Sequence, residues 1–163
     1  VGTASSGRAE GFRQALAAGG FPLAAELVVV GDFRVGGGEA GMAELLRRNA
    51  ELTAVFAAND LMAIGAIKTL RRHGIRVPED ISIIGLDGIW IGEVISPALT
   101  TVAQSISEAA SVSVQLLFER MREPDRPPRR VLLPPVLVER ESCAPPRARA
   151  GEKGGTSGRT ISG

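Results

Sequence analysis

The chain has 163 residues, enough for one domain with a buried core, and 44% of them are hydrophobic while only 4% are aromatic. Its 19 lysine and arginine residues and 18 acidic residues give a net charge of +1, which excludes binding to nucleic acid or to membranes through overall charge. No stretch approaches the roughly 20 apolar residues of a transmembrane helix, and no secretory signal opens the sequence, so we expect a cytoplasmic protein.

The first third of the chain predicts two helices separated by a strand. GRAEGFRQALAAGG (7–20) predicts a helix with Phe12 and Leu16 on its apolar face and two glycines at its end. AELVVVGDF (25–33) predicts a short buried strand that ends in a loop. GGGEAGMAELLRRN (36–49) predicts a second helix with its leucines directed inward.

Strands and helices continue to alternate through the rest of the chain, and a tail rich in proline, arginine and glycine, residues 143–163, is expected to be disordered. The predicted elements are strand TAVFAA (53–58), helix Leu61–His73, strand Ile81–Gly85, strand TTVAQ (100–104), helix Ser105–Arg122, and two short strands in RRVLLPPVLVERES (129–142).

This alternation of apolar strands and helices predicts an α/β fold, a three-layer sandwich with a mostly parallel sheet covered by helices on both faces. Ligands of such sheets bind at the carboxyl ends of the strands. The stretches VVVGDF, FAAND and IIGLD each place polar residues at a predicted strand end. We therefore expect these residues to meet along one rim of the sheet.

Two carboxylates and an amide are the main candidates at this rim. Asp60 either contacts a ligand or caps the helix that follows it, whereas Asn59 is free to point into the rim as donor and acceptor. Asp87 either accepts hydrogen bonds from sugar hydroxyls or ring N–H groups, or forms a turn with Gly88.

Four further side chains are candidates for binding, and three of them also have a structural interpretation. Phe33 could stack on a ligand or fill a loop, and Arg8 could reach an anion or hydroxyl or remain a surface charge. Gln104, at the end of TTVAQ, can both donate and accept a hydrogen bond and lies at a predicted crossover. Trp90 could stack on a ligand or anchor an interface.

Catalytic chemistry has little support in the sequence. The only histidine, His73, lies at a predicted helix end, where a surface position is the simpler interpretation, and Cys143 is interpreted as a solvated thiol. No cluster has metal-ligand spacing. The two carboxylates Asp60 and Asp87 could form a glycosidase pair, but capping of the adjacent elements explains them equally well. We expect a site that binds a small uncharged molecule without a metal, a cofactor or a reaction.

TAVFAANDLMAIGAIKTLRRHGIRVPEDISIIGLDG, followed by SPALTTVAQ and LLPPVLVERES, resembles the effector-binding domain of the lac-repressor family (LacI/GalR) of bacterial transcription regulators. That resemblance implies the type I periplasmic-binding-protein fold, in which two lobes joined by three crossovers enclose a sugar or purine. It also implies that residues 1–142 form the carboxy-terminal lobe with crossover elements, of which 105–133 would belong to the other lobe. The helix-turn-helix head of the family is not encoded in this chain.

The resemblance also assigns roles to residues. It implies that the effector contacts are Arg8, Phe33, Asn59, Asp60, Asp87 and Gln104. Where the family usually reads Gly-Tyr-Asp-Asp or Gly-Tyr-Asp-Asn, this chain has Gly-Leu-Asp-Gly at 85–88, a departure that bears on the identity of the effector.

The family dimerises through this lobe, so the resemblance predicts a homodimer, and DNA contact only through the absent head. The predicted interface residues are Leu61, Ile64, Lys68, Trp90, Ile91, Val94 and Ile95. A second expectation is that the apolar face of the helix 105–122 is exposed and requires a partner. Two alternative functions are a sugar-binding component of a transport system and a carbohydrate-active enzyme.

Overall fold

The structure, a computed structural model, describes residues 3–48 and 51–146. Its elements are α1 (Thr3–Ala18), α2 (Val35–Arg47), β1 (Ala54–Phe56), α3 (Asp60–Arg72), β2 (Ser82–Asp87), α4 (Ile91–Val94), β3 (Thr100–Ala103), α5 (Ile106–Arg122) and β4 (Val136–Val138). A short 3-10 turn, Ala25–Leu27, lies between α1 and α2.

The sheet has the strand order β1-β2-β3-β4. β1 and β3 both pair with β2 in parallel, and β4 pairs with β3 in the antiparallel direction. The predicted α/β class with a mostly parallel sheet is therefore confirmed. Because β1, β2 and β3 run the same way, their carboxyl ends meet along one edge.

The hydrophobic core lies between the sheet and the helices α2 and α3, with Met42, Leu70, Ile83 and Leu99 at 2% exposure or less. α2 and α3 approach closely because glycines face each other across the contact. A Cβ at Gly65 would lie 2.1 Å from the Val35 carbonyl oxygen, closer than any real side chain tolerates.

The segment after β4 returns to the centre of the sheet through Ser142, whose side chain is fully buried. Its hydroxyl donates to the Ile83 carbonyl at 2.6 Å and accepts from the Thr100 amide at 2.8 Å. Ala144 is held by hydrogen bonds with Ser82. Of the predicted tail 143–163, residues 147–163 lie outside the described residues.

The predicted strand in AELVVVGDF is wrong, because these residues form the 3-10 turn followed by irregular chain. The guanidinium of Arg48 bonds the carbonyl oxygens of Glu26 at 2.7 Å and Val28 at 3.5 Å, so a side chain occupies acceptors that a neighbouring strand would use. Only Val29 packs against the core, and Val30 is 82% exposed.

The two short strands predicted in 129–142 are reduced to one, β4. Pro134 and Pro135 have no N–H to donate to a ladder, and β4 begins directly after them. In the preceding stretch Leu132 is 74% exposed, and the described chain places no strand beside it.

The exposure expected for the helix 105–122 is confirmed. α5 buries none of its residues, and Ile106, Leu117 and Met121 are 68%, 58% and 67% exposed. Leu116, expected on the same face, is half-buried. Among the described helices none combines the length and apolar character that crossing a membrane requires.

Candidate functional site

Two of the predicted site residues, Arg8 and Gln104, contact the carboxylate of Asp87, the last residue of β2, and a further one, Phe33, lies beside Arg8. Arg8 Nη2 and Gln104 Nε2 both donate to Asp87 Oδ1, at 3.0 Å and 2.9 Å. Arg8 also donates to the carbonyl of Ala58 at 2.6 Å, which ties α1 to the end of β1. The Arg8 guanidinium lies over the ring of Phe33, 5.7 Å from its centroid. We call Arg8, Phe33, Asp87 and Gln104 the Asp87 cluster.

The environment of Asp87 raises the pKa of its carboxyl above the ordinary 3.8. Burial is the largest cause, and the charge of Asp60 acts in the same direction, whereas Arg8 and Gln104 lower the pKa. In the described part of the chain no donor contacts Asp87 Oδ2, and the Asp87 side chain is 26% exposed to solvent. That oxygen is therefore available to a hydroxyl or N–H group of a ligand.

The backbone around Asp87 takes conformations that glycine favours. Asp87 itself has φ 129° and Gly88 has φ 78°; for an aspartate this is a strained geometry, which must be held by its surroundings. A Cβ at Gly88 would lie 2.6 Å from the Ala103 Cβ. A residue with a side chain at position 88 would therefore require Ala103 to move.

Asn59 is the N-cap of α3, a role that the sequence left open for Asp60. Its Oδ1 accepts from the Met62 amide at 2.9 Å, and its Nδ2 donates to the Phe33 carbonyl at 3.0 Å. Because Asn59 is only 7% exposed, the expectation that its side chain is free is wrong. Asn59 instead fixes Phe33, which has φ 63°, beside the Asp87 cluster.

Asp60 lies beneath the same edge, and no part of it is exposed. Its Oδ2 accepts from the backbone amides of Gly88 at 2.7 Å and Ile89 at 2.8 Å. Its Oδ1 accepts from the Thr101 hydroxyl at 2.6 Å. The structure thus places Asp60 behind the turn that carries Asp87.

An open cleft of about 700 Å³ adjoins Asp87 and Gln104. The start of α5 forms its other side with Ser105, Ile106, Ser107, Glu108 and Ser111. Sequence reasoning missed these residues, although Ser107 and Ser111 lie four apart and so share one face of the helix. It also missed Thr101, which carries no signal because its partner Asp60 is 41 residues away.

The predicted interface residues differ in their exposure. Trp90 and Val94 are 70% and 71% exposed, four residues apart at α4. Lys68 is exposed and pairs with Glu39 at 2.6 Å. The remaining predicted interface residues are half-buried: Leu61, Ile64, Ile91 and Ile95, the last packed against the core.

Groups suited to catalysis lie apart from the cluster or inside the protein. His73 Nδ1 contacts the Thr69 carbonyl at 2.9 Å at the end of α3. No group of histidine, cysteine or acidic residues within 3–48 and 51–146 is arranged to hold a metal ion. A glycosidase pair of Asp60 and Asp87 would need both carboxylates at the ligand, and Asp60 has no exposed surface.

Comparison with known proteins gives consistent matches along the chain. Residues 2–143 match the periplasmic binding protein-like domain. The HTH-type transcriptional regulator DegA of Bacillus subtilis is 39% identical over 143 residues, which cover 88% of this chain and 42% of DegA. The chain thus spans less than half the length of this relative.

Solved structures give the same result. A LacI family transcriptional regulator from Enterococcus faecium with bound ribose has a TM-score of 0.80 and 38% identity, covering 88% of this chain and 53% of that one. The transcriptional regulator CelR in complex with cellobiose has a TM-score of 0.77 and 39% identity, covering 81% of this chain and 40% of CelR.

The chain belongs to the periplasmic-binding-protein-like domain family, and it matches part of the effector-binding domain of LacI-type regulators. The resemblance found in the sequence is thereby confirmed. The relatives named above are transcriptional regulators.

Proposed function

We propose that this chain is the effector-binding part of a cytoplasmic LacI-type transcriptional regulator, and that its effector is a sugar or a related uncharged metabolite. The observation that carries the proposal is the Asp87 cluster, which lies where the parallel strands end. Regulators of similar sequence and fold with bound ribose and bound cellobiose support the class of ligand.

The charges of the cluster suit an uncharged ligand. Arg8 and Asp87 form an ion pair at 3.0 Å, so the two charges compensate each other before any ligand arrives. Asp87 Oδ2 would accept a sugar hydroxyl, and Gln104, with both a donor and an acceptor, would bond a second one. The partly exposed ring of Phe33 offers an apolar surface for the C–H face of a sugar ring.

Signal transmission in this proposal depends on the elements that leave the cluster. Gln104 lies between β3 and α5, and α5 lines the cleft while burying none of its own residues. An effector that contacts both Asp87 and the start of α5 would favour one orientation of α5 relative to the sheet. Differential contact of this kind is what allows a ligand to shift a conformational equilibrium.

Ligand binding tests this function directly. Thermal unfolding of the chain would be followed with D-ribose, cellobiose and hypoxanthine, since a ligand that binds only the folded state raises the unfolding temperature. Asp87→Asn should weaken sugar binding by about tenfold or more, because a charged acceptor is replaced by a neutral amide. The control Asp125→Asn, on the exposed loop after α5, should bind as the unchanged chain does.

If none of these compounds raises the unfolding temperature, the proposal is contradicted. Hydrolysis of an aryl glycoside that Asp87→Asn abolishes would replace it by the enzymatic alternative.

We propose further that the chain forms a homodimer through α4 and the neighbouring surface of α3, and that DNA is contacted only through a head domain. Trp90 and Val94 support this, since two large apolar side chains are exposed one helical turn apart. Sedimentation of Trp90→Ala should show a lower dimer fraction at equal concentration. An unchanged association constant would exclude this surface.

A further inference from the structure

The carboxylate of Asp60 is a fully buried charge with three hydrogen-bond donors, and none of them is an opposite charge. Gly88 N, Ile89 N and the Thr101 hydroxyl all lie within 2.8 Å of its oxygens. Hydrogen bonds to a carboxylate are stronger than neutral ones, and a buried carboxylate requires them. Burial of such a group costs free energy, which these hydrogen bonds offset.

We propose that Asp60 is a positioning residue of the effector site: it holds the backbone at Gly88 and Ile89, and thereby sets the direction of Asp87, without touching the ligand. The inference rests on the proposed function, because it concerns the same site. It differs from the family-based expectation, in which Asp60 contacts the effector.

The geometry of the turn requires an anchor of this kind. Asp87 and Gly88 both have positive φ, and this conformation is strained for Asp87 because it has a side chain. Two consecutive amides on one carboxylate oxygen fix the plane of the chain just after Asp87. If these bonds loosen, Asp87 relaxes and its side chain leaves the position shared with Arg8 and Gln104.

The neighbouring strand leaves space for this carboxylate. A Cβ at Gly85 would lie 2.2 Å from Asp60 Oδ1, so glycine is required at this point of β2. The opposite neighbour is Thr101 of β3, which is fully buried and donates its hydroxyl to the same oxygen. Two strands therefore accommodate a side chain that belongs to α3.

Asp60 also connects the Asp87 cluster with α4. The amide of Ile89 binds Asp60, and the carbonyl of Ile89 accepts from Gly92 at 3.0 Å, in the first turn of α4. Trp90 follows directly. One carboxylate thus fixes the start of the exposed surface at Trp90 and Val94 as well as the turn at Asp87.

Two variants separate positioning from general stability. Asp60→Asn keeps the shape of the side chain and weakens the bonds to both amides, whereas Thr101→Val removes the bond to the other oxygen and leaves those amides paired. Hydrogen exchange measured by NMR should show the Gly88 and Ile89 amides exchanging about tenfold faster in Asp60→Asn. In Thr101→Val their exchange relative to the other β2 amides should be unchanged.

Binding of D-ribose and cellobiose, measured by calorimetry on the same variants, gives the second readout. The proposal expects an affinity loss of about tenfold in Asp60→Asn, and no loss in Thr101→Val even where its unfolding temperature falls as far. Equal losses in both variants, or none in Asp60→Asn, would overturn it.

Failure of the proposed function is distinguishable from failure of this inference. If the unchanged chain binds neither sugar nor hypoxanthine, the site assignment is wrong, while exchange at Gly88 and Ile89 still decides whether Asp60 fixes the turn. If Asp60→Asn does not fold, trans-hydrogen-bond couplings between these amides and the Asp60 carboxyl carbon in the unchanged chain decide. Their absence would overturn the proposal.

Discussion

The helix pair α2–α3 and the helix α5 are both amphipathic, yet they differ completely in burial. Met42 and Leu70, on α2 and α3, are 2% and 0% exposed. α5 buries none of its residues, and Met121 is 67% exposed. An apolar stripe thus records that a helix face requires a partner, and it does not identify that partner.

The largest expected effect comes from truncating the buried side of this comparison. Leu70→Ala should lower the free energy of unfolding by about 2–5 kcal/mol, because the site is fully enclosed and a cavity remains. Leu117→Ala on α5 is the matched control and should cost less than about 0.5 kcal/mol. Chemical denaturation of both variants measures the difference, and similar losses would mean that α5 is covered in solution.

A difference in local stability should follow from the difference in burial. At low protein concentration the amides of α5 should exchange about a hundredfold faster than those of α3, because opening α5 exposes little additional apolar surface. Hydrogen exchange followed by mass spectrometry measures this. Slower exchange of α5 at higher concentration would show that copies of the chain associate through Ile106, Leu117 and Met121.

The close approach of α2 and α3 can be broken with a single methyl group. Gly65→Ala should destabilise the fold by about 1–3 kcal/mol, since its Cβ would meet the Val35 backbone, which has to move. Gly36→Ala is the control, because a Cβ there meets nothing within 4 Å; it should be neutral or stabilise α2 by up to about 1 kcal/mol. Thermal unfolding of both variants compares them, and equal melting points would contradict this reading of the contact.

The smallest expected effect is a dependence of the free energy of unfolding on pH, which arises from Asp87. Burial raises the pKa of Asp87 in the folded state above the ordinary 3.8, so the folded chain holds this proton more tightly than the unfolded chain. The contribution of Asp87 to stability is therefore greatest below the ordinary pKa and declines as the pH rises through the folded pKa.

The free energy of unfolding is measured across this pH range for the unchanged chain and for Asp87→Asn. The value for the unchanged chain minus the value for the variant should fall as the pH rises. A rise of this quantity with pH would show that the ion pair with Arg8 outweighs burial.

Much of the fold follows from local patterns. β1 and β2 are short and mainly apolar, and polar residues follow or end them. The helix α3 has a capping residue before it and Gly74, with φ 72°, after it. The segment at Val28–Val30 has the same apolar composition, but it forms no strand, and the side chain of Arg48 bonds the carbonyl oxygens of Glu26 and Val28. Composition alone does not report such a competition.

The members of the site were predictable to a larger extent than their roles. The family resemblance implied that Arg8, Phe33, Asp87 and Gln104 belong to one site, and the structure brings these four residues together. The roles within the Asn59-Asp60 pair were assigned differently, because capping by one residue and burial of the other depend on partners distant in sequence.

The position of Trp90 has a practical consequence. It is the sole tryptophan of the chain, it is largely open to water, and it follows the residue whose amide is bound by Asp60. The protein therefore carries an intrinsic fluorophore three residues beyond Asp87. Its emission wavelength and quenching by iodide should respond to whatever rearranges that turn, so titrations require no added dye.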